Sequence, residues 1–96
     1  MPHYISLMKW TDEGVRGVKD SPKRIAGLTK MLEQMGGKAQ TFFTMGEYDL
    51  VVIAEGPSDD VAMQVLLELG RAGNARTTTM RAWTVDEATK IIGKLQ

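Results

Sequence analysis

The sequence predicts an α+β domain: a four-stranded antiparallel sheet with two helices on one face and a further helix at the C-terminus. Three observations lead there. Segments with strand character alternate with segments whose apolar residues recur at helical spacing. Each helical segment opens on a hydroxyl residue suited to capping: Ser21, Ser58 and Thr84. Glycine-containing turns, at Gly36-Gly37, Gly46-Glu47, Gly56-Pro57 and Gly73-Asn74, separate the segments.

Tyr4 to Trp10 reads as the first strand, with Ile5 and Leu7 on one side and Tyr4, Ser6, Met8 and Trp10 on the other. Thr11 to Asp20 is expected to be a polar loop, broken by Gly14 and Gly17. Ser21-Pro22 marks a helix start, Ser as N-cap and Pro where a missing N–H does no harm. Ile25, Leu28, Leu32 and Met35 form that helix's apolar stripe, and Gly36-Gly37 ends it. Lys38 to Met45 is the second strand and Asp49 to Glu55 the third. The run Leu50-Val51-Val52-Ile53-Ala54 suggests a central strand buried on both faces. Ser58 caps the second long helix, with Asp59 and Asp60 at its positive end and Val61, Val65, Leu66 and Leu69 as its stripe. Gly73-Asn74 closes it, with Asn74 expected as a left-handed residue. Arg76 to Trp83 is the fourth strand. Thr84-Val85-Asp86-Glu87 matches a capping box for a last helix whose buried side is Ala88, Ile91, Ile92 and Leu95.

Two successive β-α-β units joined by a hairpin, then a helix, make a ferredoxin-like pattern. Right-handed crossovers place both long helices on one sheet face and leave the other bare. Tyr4, Met8, Trp10, Val51, Ile53 and Trp83, with Thr77, Thr79 and Arg81, are assigned to the bare face. An apolar sheet face of that size is expected to pack against a second copy, giving a homodimer with a barrel-like sandwich of sheets, open to further assembly.

Composition narrows the functional classes. The 96 residues suit one domain, and 43% hydrophobic with 25% charged residues suits a folded one. Twelve basic residues balance twelve acidic ones, which gives no electrostatic footprint for nucleic acid or an acidic membrane. The absence of cysteine removes disulfides, thiolate metal sites and a catalytic thiol, and fits a cytoplasmic location. Met1-Pro2-His3-Tyr4 does not read as a signal peptide, and no apolar run reaches membrane-spanning length. One histidine and scattered carboxylates recommend no metal site, and no cofactor is expected.

The stretch Gly46-Glu47-Tyr48-Asp49-Leu50-Val51-Val52 resembles the signature of the GYD domain family, small proteins of the dimeric α+β barrel type. Lys9 to Gly14, Ser21 to Arg24 and Gly73 to Thr77 resemble that family's first loop, first helix start and entry to the fourth strand. The resemblance runs through nearly the whole chain in order. It implies the fold but carries no biochemical activity with it. The Gly-Glu-Tyr-Asp hairpin, followed by an apolar strand and a helix, is also similar to the effector-binding domain of leucine-responsive-type regulators, without the DNA-binding helix-turn-helix. That likeness implies effector binding or assembly.

Candidate site residues follow from residue type and position. Tyr48 and Asp49 are candidates for a small-molecule site, Asp49 as proton acceptor or amine-binding carboxylate. The stronger competing account is structural: Asp49 capping backbone N–H groups, Tyr48 anchoring the hairpin by its ring. Trp10, with Met8, Met80 and Trp83, suits an apolar ligand cavity or, more commonly, a core or interface. Arg81 must pair with a carboxylate, reach the rim or meet an anion. Ser21, Lys23 and Arg24 gather at a helix start where an anion can bind.

Three functional readings stand. One is a self-associating domain that binds a small metabolite or effector. Another is a cofactor-free enzyme of the oxygenase or isomerase kind, drawing on Asp49, Tyr4 or His3, permitted by fold analogy alone. The third is a ligand-free assembly module.

Overall fold

Four strands, β1 (His3–Trp10), β2 (Lys38–Phe43), β3 (Leu50–Glu55) and β4 (Ala75–Ala82), form one sheet in the order β2-β3-β1-β4. This is a computed structural model and it describes residues 1–96. All three pairings are antiparallel, as the ferredoxin-like pattern requires. Between the strands run α1 (Asp12–Arg16), α2 (Ser21–Gln34) and α3 (Asp59–Ala72), and α4 (Val85–Ile92) follows β4. No helix is long and apolar enough to cross a membrane.

The register decides which side chains share a face. Tyr4 lies opposite Ala54 and Arg81, Ser6 opposite Val52 and Thr79, and Met8 opposite Leu50 and Thr77. These residues face α2 and α3. The other face carries Ile5 beside Ile53 and Met80, and Leu7 beside Val51 and Thr78. The expected bare-face set is thereby split. Val51 and Ile53 are on the bare face, whereas Tyr4, Met8, Trp10, Thr77, Thr79 and Arg81 are on the helix-bearing one. Alternation within a strand fixes two sides, but only the cross-strand register says which sides coincide. Trp83 lies past the end of β4 and is half exposed. β3 is an inner strand, yet in the single chain only its helix-bearing face is covered: Leu50 is 2% exposed and Ile53 45%.

Several ends formed as their residues dictate. Ser58 Oγ accepts from the Val61 N–H at 3.2 Å, and Gly73 ends α3 in the left-handed region at φ +80°. Gly73, not Asn74, takes that role. Thr84 and Glu87 exchange both bonds of the capping box, at 3.1 and 2.8 Å. The side of α4 expected to be buried is instead exposed: Ile91, Ile92 and Leu95 retain half or more of their surface. The helix attaches near its start, where Glu87 reaches His3 at 3.4 Å.

The segment expected as a loop after β1 contains α1 and a single 3-10 turn, Val18–Asp20. Thr11 organises it. Its Oγ1 accepts from Gly14 N–H at 3.0 Å and donates to the Gly73 carbonyl at 2.6 Å. Gly14 sits so close to the Asn74 backbone that a Cβ there would lie 1.8 Å from the carbonyl oxygen. Only glycine permits this approach. Ser21 is not a cap: it is already helical, and its buried Oγ donates to the Val18 carbonyl at 2.7 Å.

Met8, Leu50 and Ala75 form the centre of the core, with Trp10, Ile25, Val52 and Leu69 packed around them. The core is small. The accessible surface is 6800 Å², against about 5,500 Å² for a compact monomer of this mass. The bare face and the exposed apolar side of α4 account for part of the excess, and a space under the helices for more.

Candidate functional site

The helix-bearing face is built in cross-strand rows. One row is Phe43, Leu50, Met8 and Thr77; there the large side chains of Leu50 and Met8 fill the space up to the helices. The next row is Thr41, Val52, Ser6 and Thr79, and the one beyond it Ala39, Ala54, Tyr4 and Arg81. Ala39, Ala54 and Ser6 are too short to reach α2 and α3. Leu28 of α2 and Val65 and Leu66 of α3 therefore stay only partly buried above them. The result is a cavity of about 470 Å³ between the two helices and the sheet, partly open to solvent, with almost wholly apolar walls.

A polar cluster stands at the Tyr4 end. The Tyr4 hydroxyl donates to Asp59 Oδ1 at the start of α3, and Arg81 Nε lies 3.4 Å from the same oxygen. The Arg81 guanidinium stacks over Trp83 at 4.8 Å and over Tyr4 at 5.6 Å. Burial, then the hydrogen bond to Asp59 and its negative charge, raise the Tyr4 hydroxyl above its ordinary value of 10.0, against the opposing pull of Arg81. At neutral pH Tyr4 is a neutral phenol, able to orient a ligand but poorly suited to act as a base. In the middle of the floor the Ser6 and Thr79 hydroxyls bond to each other.

The residues singled out from sequence fall into three places. Tyr4 and Arg81 come together at one end of the cavity, and Trp10 lines its other end. Tyr48 and Asp49 belong to the β2–β3 hairpin. Asp49 Oδ2 accepts from the Trp10 backbone N–H at 2.8 Å, and Lys9 lies over the Tyr48 ring at 5.3 Å. Asp49 thus holds the hairpin to β1. At the start of α2, the Ser21 hydroxyl is engaged as described and Arg24 Nη2 donates to the Gly17 carbonyl at 3.2 Å, while Lys23 is exposed. His3 sits on the bare face between Glu55, at 2.9 Å, and Glu87. Asp59, Ser6, Thr79 and Ala54 join the site although residue type alone does not mark them as site residues. The signal for the last three was a set of small residues at alternate strand positions, legible only once the strands are in register.

The family model of the GYD domain matches residues 4–92, nearly the whole chain. No curated protein and no solved structure matches it.

Proposed function

We propose that this chain, which belongs to the GYD domain family, is a self-associating domain that binds a small apolar metabolite or effector between its helices and its sheet. The cavity carries this reading. The space is partly open to solvent, and its apolar walls offer water there few hydrogen-bond partners. Apolar walls of this extent favour an apolar occupant. Native mass spectrometry of freshly purified protein tests the reading. The expected result is a reproducible excess mass, lost on denaturation; the bare chain mass throughout would contradict it.

Self-association is supported by the bare sheet face. Its middle holds Ile5, Leu7, Val51, Ile53, Phe42 and Met80, while Lys38, Glu55 and His3 border one end and Lys9 and Arg76 the other. An apolar centre with a charged border of both signs is how protein interfaces are built. Val51→Lys puts a charge in the middle of that patch. On a sizing column it is expected to shift a wild-type dimer to monomer, and an unchanged dimer would refute the interface.

A further inference from the structure

The charged residues around the cavity are engaged away from it. Arg24 donates to the Gly17 carbonyl, Glu55 pairs with His3 on the bare face, and Glu68 pairs with Arg71 at 2.8 Å. The Tyr4 hydroxyl is turned to Asp59. No charged side chain stands on the floor's central row, which is Thr41, Val52, Ser6 and Thr79. At the Tyr4 end Arg81 and Asp59 are paired with each other, so a ligand carboxylate or ammonium seated over the central row would meet no free partner of opposite sign there.

The Ser6–Thr79 pair is different. Two hydroxyls hold two O–H donors, and their mutual bond uses one. One donor and several lone pairs are left where two hydroxyls meet, whereas Thr41 stands alone across Val52 on the same row, and Ser6 is 6% exposed. A ligand oxygen above that point can complete the set.

We propose that the ligand is uncharged: an apolar body carrying one hydroxyl or carbonyl oxygen, which seats on the Ser6–Thr79 hydroxyl pair. This rests on the cavity being the binding site. A chain alcohol fits the description, and the corresponding carboxylate does not.

Displacement of the neutral fluorophore N-phenylnaphthylamine from the protein, stripped by unfolding and refolding, tests both levels separately. Binding of the fluorophore reports on the cavity reading, and its absence would overturn that reading and this proposal together. Given binding, decanol is expected to displace it at a concentration at least about tenfold below that of decanoate. Equal or stronger displacement by decanoate would overturn the uncharged ligand and leave the cavity reading standing. In the double variant Ser6→Ala, Thr79→Val, the ratio of decanol to fluorophore affinity should fall about fivefold, the worth of one hydrogen bond. An unchanged ratio would remove the hydroxyl pair from recognition. The wild-type comparison needs no variant, so the proposal is decided even if the double variant does not fold.

Discussion

Enlarging a core residue ordinarily destabilises a protein, because the core has no space for it. Ala54→Leu should do the reverse here. Ala54 stands between Ala39 and Tyr4 on the cavity floor, and the space above it is empty to the helices. Leucine adds three carbon atoms. At about 0.8 kcal/mol for each buried carbon the gain is about 2.4 kcal/mol. Fixing the longer side chain costs about 0.5–1 kcal/mol. The net gain is then about 1.5 kcal/mol, which raises the melting temperature of a chain this size by roughly 6–12 °C. The assay is thermal unfolding of ligand-stripped wild type and variant, followed by fluorophore titration. The variant should melt higher and bind less well. A variant that is less stable by about 1 kcal/mol or more, with fluorophore binding intact, would show that the space above Ala54 is already filled. The reasoning would then fail at its first step.

Gly14→Ala is expected to be severe for its size. The new methyl meets the Asn74 carbonyl at 1.8 Å, so α1 must move away and the Thr11 bonds to Gly73 and Asn74 go with it. Two lost bonds and the strain imply about 2–3 kcal/mol, and a thermal melt within half a kcal/mol of wild type would refute the contact. Acid should loosen α4. The Thr84 backbone N–H bond chiefly holds the Glu87 carboxyl below its ordinary value of 4.5. A lowered folded-state value adds stability above the unfolded value and loses it as pH falls through the folded one. Helix signal from α4 amides should therefore fall below about pH 4.5, and Glu87→Gln should flatten that transition; an identical transition in the variant would contradict the assignment. Tyr4 has the opposite sign. Its raised value gives stability that is full below 10.0 and lost as pH rises through the folded value. Tyr4→Phe should flatten the alkaline end of the stability profile, and an unchanged alkaline loss would refute it.

Local signals in the sequence are strong enough to order the elements. Ser58 and Thr84 each stand just before a helical stripe, and each caps the helix it precedes. The Gly46 turn returns β2 onto β3, with Gly46 at φ +111°. Asp49 caps a backbone N–H, a role short polar side chains fill beside turns. Relations between strands are a different matter. Val51 and Met8 both alternate correctly within their own strands, but their placement on opposite faces follows from Met8 lying opposite Leu50. That pairing is set by the whole hairpin and by the packing of Leu50 into the core. The short helix α1 is hidden in the sequence because Gly14 within it and Gly17 at its end read as loop, while its N-cap Thr11 is tied to a distant partner, Asn74. The cavity is the least legible feature. It is a shortage of atoms above Ala39, Ala54 and Ser6, and it exists only when three strands align those positions under two helices.

The central claim is that the space between helices and sheet holds an apolar small molecule. Intermolecular NOEs between N-phenylnaphthylamine and the methyl groups of the isotope-labelled protein test it most directly. The claim predicts contacts to Leu28, Val52, Ala54, Val65 and Leu66, which surround the cavity. Contacts confined to Ile5, Val51, Ile53 and Met80 would place the molecule on the bare sheet face and contradict it.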